Sequence, residues 1–245
     1  MFQESKAELR EWLLNKAKSE PAYLKAIEAM EKSEQYHSGF RKDGVVEEFQ
    51  HQINIANSIR PFVESLKYPA ETFVIVFLHD LIEDYGINDP VWDEKLPRLI
   101  GLSPVPFSYI TTHYSSLIAE SLDAISKKVD DKKKKSKHYF KGISTLAIAS
   151  VVKLADRIDN LTSMLCVFTV EKQVKYAEEA EKYFLDFLSI ARSLYPEQKV
   201  IYDAFEEKIK SQIQGVRETQ RYYEENNLDM ATVPVKPAKF KKLNK

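Results

Sequence analysis

Two adjacent pairs carry the strongest chemical signal: His79-Asp80 and, two residues on, Glu83-Asp84. If this segment is helical, residues four apart share a face, so His79 stacks with Glu83 and Asp80 with Asp84. Four side chains able to bind a metal then lie within one and a half turns, directly after the apolar run FVIVFL. Burying three carboxylates without partners is costly, and a divalent cation offsets that cost. The competing reading is a helix that leaves the core and becomes solvated. A second candidate is Asp156 in VVKLADRIDNL, with Asn160 one turn further along the same face. Taken alone, an Asp–Arg pair on a helix is more often a surface ion pair. A third is His51 in EEFQHQINIA, although a lone histidine near an apolar face is usually structural. His37, His113 and His138 have no comparable carboxylate cluster near them in sequence and read as structural or surface residues.

The elements that must position these groups read as helices. The chain has 245 residues, 44% hydrophobic and 30% charged, enough for one large domain that folds without disulfides or metal. Only six glycines occur, and neither GxGxxG nor GxxxxGK[ST] is present, against a nucleotide-binding α/β fold. Long stretches rich in Ala, Glu, Lys and Leu favour an all-α protein. Helical spacing predicts helices over residues 4–20, 22–37, 46–66, 71–85, 108–127, 139–165, 171–192 and 196–226, the last two as surface helices. Pro61 ends or kinks the third, and residues 87–107 read as irregular. The segment 127–138 reads as a basic loop. The tail from Thr232, with two prolines and five lysines, reads as flexible. The balance of 36 basic and 37 acidic side chains argues against a dedicated duplex-DNA binder. A single cysteine, Cys166, fits a reducing compartment, and the N-terminus lacks the apolar core of a secretory signal. The longest uncharged stretch, 99–119, carries Gly, Pro and many hydroxyls, unlike a membrane span. A cytoplasmic protein without membrane contact is expected.

Taken together, the order His51, His79-Asp80, Asp156 resembles the ligand order of the HD-domain metal-dependent phosphohydrolases. Within that superfamily, several segments are similar to the hydrolase domain of RelA/SpoT-type alarmone enzymes. HSGFRKDG at 37–44 resembles the opening H-x-G-x-x-R-K-D-G, with one residue fewer before Arg41, and LHDLIED at 78–84 resembles L-H-D-x-x-E-D. LDAISK at 122–127 resembles V-D-G-V-T-K, and KLADRIDN at 153–160 resembles K-L-A-D-R-x-x-N. The likeness spans about residues 24–205. It implies an HD-type helical bundle with a C-terminal helical extension, a single hydrolase domain over 1–230 and a basic tail over 231–245. It also implies a stand-alone small alarmone hydrolase, since a synthetase domain would not fit.

The resemblance further implies one divalent cation, usually Mn²⁺, held by His51, His79, Asp80 and Asp156. Glu83 and Asp84 would orient and deprotonate the attacking water. Arg41, Lys42 and Asn160 would contact a nucleotide whose 3′-pyrophosphate is removed, ppGpp or pppGpp in the family. A metal-activated water near a positive pair also suits attack on a polyanionic phosphorus. Apart from that context, Arg41-Lys42-Asp43-Gly44 reads as an ordinary charged turn. The chain departs from the pattern at Gln52 (usually Pro), at Glu47 to Gln50, at Asp159 (often His) and at Thr162 (usually Arg). The stretch between Asp84 and Lys127 is also longer by about a dozen residues. These departures leave the metal set intact and alter the substrate pocket. Two other readings follow: an HD-type deoxynucleoside triphosphohydrolase or 5′-nucleotidase, and a non-catalytic nucleotide-binding regulator. The seven lysines of 127–137 read as a solvated loop, or as a steering element for a charged nucleotide.

Overall fold

A computed structural model describes residues 2–41, 44–81, 83, 105–129 and 132–234. They form an all-α protein. In chain order the helices are α1 (Phe2–Ser19), α2 (Tyr23–Tyr36), α3 (Gln50–Ile59), α4 (Pro69–Leu78), α5 (Val105–His113), α6 (Ser116–Ile125), α7 (Ser136–Ser144), α8 (Ala147–Ser163), α9 (Val170–Glu179), α10 (Leu185–Leu194) and the long C-terminal α11 (Lys199–Glu225). Among the described residues, no helix is long and apolar enough to cross a membrane.

α4 is the centre of the core. Pro69 sits in its first turn, where a missing N–H costs nothing, and Thr72 to Leu78 are all buried. A helix apolar all round must be surrounded, and α4 packs on α2, α3, α6 and α8. Trp12, Tyr23 and Phe73 close one end, with ring centroids 5.0–6.3 Å apart. Phe49 packs on Phe77 at 6.4 Å. α11 lays one stripe, Ile201, Tyr202, Phe205, Ile209, Ile213 and Val216, against the rest of the protein and packs on α8 and α9.

Several predicted helices are broken where local chemistry intervenes. Residues 46–66 divide into α3 and a 3-10 turn, Arg60–Ser65, because Pro61 lacks the N–H that α-helix continuation needs. Residues 108–127 form two helices, with the Ser115 hydroxyl accepting from the Ile118 N–H to cap the second. Residues 139–165 likewise divide at Thr145-Leu146, where Leu146 is extended. Between α9 and α10, residues Ala180–Phe184 form a π-helical turn. The basic loop contains a two-residue antiparallel ribbon pairing Lys128 with Lys133 and Val129 with Lys132. The start of the tail is tied down: the N–H groups of Val170 and Glu171 donate to the carbonyls of Thr232 and Met230.

The α2–α3 connection is a turn held by a bridge between Phe40 and Glu47. Arg41 N–H donates to the Val46 carbonyl at 2.7 Å, and Gly44 takes φ +67°, a conformation glycine supplies without strain. Gly44 N–H donates to the Arg41 carbonyl at 2.8 Å, and Arg41 lines the site.

Candidate metal centre and cavity

α3, α4 and α8 meet at one point, and each brings there a side chain able to bind a metal. His51 lies in the first turn of α3, His79 caps the end of α4, and Asp156 projects from the middle of α8. His51, His79 and Asp156 are all buried, with potential ligand atoms within 4.8 Å of one another. The imidazole centroids stand 5.5 Å apart. Asp80 Oδ2 lies 3.1 Å from His79 Nε2 and 3.6 Å from His51 Nε2. The second His51 contact from that atom is Asp156 Oδ1 at 3.2 Å.

The expected continuous helix over 71–85 is interrupted after Leu78: residues 79 and 80 form a turn, and residues 81 and 83 are helical again. His79 Nδ1 donates to the Val76 carbonyl at 2.8 Å, satisfying one of the carbonyls a helix end leaves open. Adjacent His79 and Asp80 meet at this turn, with Asp80 Oδ2 3.1 Å from His79 Nε2. Asp84 and Lys42 lie outside the described residues. Glu83 lines the cavity beside Asp80, and its carboxylate accepts the Lys127 backbone N–H.

The donor set fits a divalent cation. A carbonyl only accepts, so the bond to Val76 fixes the proton of neutral His79 on Nδ1 and leaves a lone pair on Nε2. Nε2 is buried and makes no hydrogen bond among the described residues; the Asp80 oxygen is near it but poorly directed for one. His51 is oriented in the same way from behind. Its Nδ1 lies 2.6 Å from Asp159 Oδ2, aiming Nε2 at Asp156 and Asp80. A carboxylate behind a ligating imidazole is the usual support of a metal-bound histidine. Two imidazoles and two carboxylates suit Mn²⁺, Fe²⁺ or Co²⁺.

Protonation follows the same crowding. Burial opposes a charge on His51, but hydrogen bonds to Asp156 and Asp159 and the Asp80 charge push its pKa up to about 9. His79 is raised as well: burial is the largest single effect and lowers it, but the charges of Asp80 and Asp156 together prevail. Burial works against ionising Asp156, yet Lys153 and His51 hold its carboxyl well below the usual range. Lys153 Nζ is 2.7 Å from Asp156 Oδ2 and stays an ammonium against burial because of that charge. Cations thus balance the buried carboxylates, and a metal would replace protons among them.

A cavity of about 480 Å³ opens beside this cluster. Arg41, Glu83, Lys153 and Asn160 give it a polar side, while Phe40, Met164, Val167, Phe168 and Tyr176 give it apolar surface. Arg41 donates to Asp159 at 3.0 Å and to the Asn160 side-chain oxygen at 3.2 Å, and Asn160 in turn donates to Asp156. Arg41 and Asn160 are therefore linked to the ligands as well as facing the cavity.

Sequence reasoning passed over three of these residues. Asp159 appeared only as a departure from an expected pattern, although its i+3 spacing from Asp156 places it on the same side of α8. His37 read as structural, yet it lines the cavity together with Gln52. Lys153, three residues before Asp156, carried the same spacing signal. No protein-family model matches the chain, and a search of curated proteins finds no match.

Proposed function

We propose that this protein is a metal-dependent phosphohydrolase acting on a nucleotide polyphosphate, with a guanosine 3′,5′-polyphosphate such as ppGpp or a close relative as substrate. The observation that carries the reading is the convergence of His51, His79 and Asp156, with Asp80 against both imidazoles, beside a cavity that Asp80, Glu83 and Arg41 line. His51, His79, Asp80 and Asp156 would hold the cation, with Mn²⁺ the expected ion. When bound, the metal would supply Lewis acidity and lower the pKa of a water toward neutrality. Glu83, fixed at one oxygen by the Lys127 N–H, offers the other to take a proton from the attacking water. Arg41 and Lys153 place positive charge where phosphate oxygens gather charge in the transition state. Asn160 and Asp159 hold Arg41 in position. The motif resemblance narrows the substrate to the alarmone class.

The test is a product assay. Purified protein with Mn²⁺ is mixed separately with ppGpp, its adenosine analogue, dATP and dGTP. GDP and pyrophosphate from ppGpp is the expected result. Triphosphate and deoxynucleoside from dATP or dGTP would keep the metal site and replace the substrate. Bound metal with no turnover of any nucleotide would turn the reading to a non-catalytic binder.

A further inference from the structure

We propose that Gln52 and His37 form a nucleoside-reading subsite, in which Gln52 Oε1 accepts a hydrogen bond from a neutral N–H or O–H donor of the ligand. The proposal rests on the reading of the cavity as a nucleotide site. Gln52 follows His51 on α3, is 1% exposed and lines the cavity; His37, at the end of α2, is 5% exposed and lines it too. His37 Nδ1 lies 3.1 Å from the Ser33 carbonyl oxygen and 3.1 Å from its hydroxyl. The carbonyl can only accept, so a proton on Nδ1 satisfies that contact and makes Nε2 the accepting nitrogen. The amide nitrogen of Gln52 sits 3.5 Å from that Nε2 and is its matching donor. This orients the carboxamide and leaves Oε1 as the end that must be satisfied elsewhere.

Oε1 is buried and has no hydrogen-bond partner among the described residues. A buried amide oxygen left unpaired is unfavourable, so the position favours whatever brings a donor into the cavity. Ionised phosphate groups present acceptors only and would be repelled there. The donor therefore belongs to the nucleoside: an amino or imino N–H of the base, or a sugar hydroxyl. The apolar surfaces of Phe40, Met164, Phe168 and Tyr176 in the same cavity suit the faces of a ring. A site built around a required hydrogen bond rejects ligands lacking it more strongly than apolar contact can. Gln52 is thus assigned as a specificity determinant, without a part in the chemical step.

Calorimetric binding of GDP, IDP, 2′-deoxy-GDP and ADP to the Mn²⁺-loaded full chain tests this. The wild type should bind at least one of the altered nucleotides about 10- to 100-fold more weakly than GDP. Weaker IDP identifies the base amine, weaker ADP with normal IDP the imino N–H, and weaker 2′-deoxy-GDP the sugar hydroxyl. Q52M should weaken GDP by a similar factor and abolish that discrimination, with metal affinity unchanged. Equal affinity of the wild type for all four nucleotides overturns the proposal, and needs no variant to fold. Discrimination that survives in Q52M overturns it as well. Discriminating binding without any hydrolysis removes the hydrolase reading and leaves this one standing. No nucleotide binding to metal-loaded protein removes both.

Discussion

Asp159 reaches further than any single ligand. Its carboxylate meets His51 Nδ1 at 2.6 Å, the Asn54 amide at 2.9 Å and Arg41 at 3.0 Å. Burial opposes its charge, but His51, Asn54 and Arg41 hold its carboxyl below the usual range, so it stays ionised. It thereby fixes a ligand and a cavity cation at once. Losing such support behind a metal-bound imidazole costs about 10- to 100-fold in metal affinity. Asp159→Ala should therefore weaken Mn²⁺ binding by that factor, read by calorimetry, while Asp159→Asn, which keeps the shape, should lose less. Equal Mn²⁺ affinity in wild type and Asp159→Ala would show that His51 needs no such anchor. Glu83 predicts the opposite pattern. Glu83→Gln keeps an oxygen for the Lys127 N–H, so fold and metal should persist while turnover falls about 10²- to 10⁴-fold. Turnover unchanged in that variant would move the base to another residue.

At the scale of elements, α4 holds the site in place. Phe73 is fully buried between Trp12 and Tyr23 at the end of α4 far from His79 in sequence. Phe73→Ala should destabilise the protein by about 3–5 kcal/mol in chemical denaturation, a cavity effect. A loss below about 1 kcal/mol would mean that this end of the bundle collapses around the gap. The apolar run that makes α4 central was legible in the sequence because a segment apolar on every side has few places to go. Its ending was not: nothing in the spacing says that the His79 ring would cap Val76 and turn the chain at residues 79 and 80. The same holds for the breaks at Ser115 and Leu146. A capping hydroxyl or one extended residue interrupts a helix without interrupting its apolar spacing. The ligand residues were legible one by one as chemistry-bearing types, while their convergence is a tertiary fact. His37 and Gln52 lacked a signal because polar residues on a buried helix face look alike until their partners are known.

The whole molecule is nearly neutral, with a formal net charge of -1, yet it concentrates titratable groups where three helices meet. That concentration couples protons, metal and folding. His51 has a folded pKa of about 9 against an ordinary value of 6.5, with His79 shifted the same way. A raised imidazole stabilises the fold fully below its unfolded pKa, and that stability is lost as pH rises through the folded value. For His51 the shift corresponds to about 3 kcal/mol, present at pH 6 and lost toward pH 9. The carboxylates act at the other end: Asp80 and Asp156, lowered by their cationic neighbours, stabilise above about pH 4 and lose that contribution only on acidification. A metal bound there would compete for the same nitrogen. A cation needs His51 Nε2 unprotonated, so binding between pH 6.5 and 9 releases a proton, and affinity should rise by up to about tenfold per pH unit. Stabilisation by ligand grows with the logarithm of that affinity. Thermal melts at fixed Mn²⁺ should therefore diverge from metal-free melts as pH rises from 6.5 to 8.5, with the metal-free Tm falling and the gap widening. A gap that stays constant with pH would mean that the imidazoles are already neutral in the metal-free fold, and that Asp156 and Asp80 are balanced by Lys153 alone.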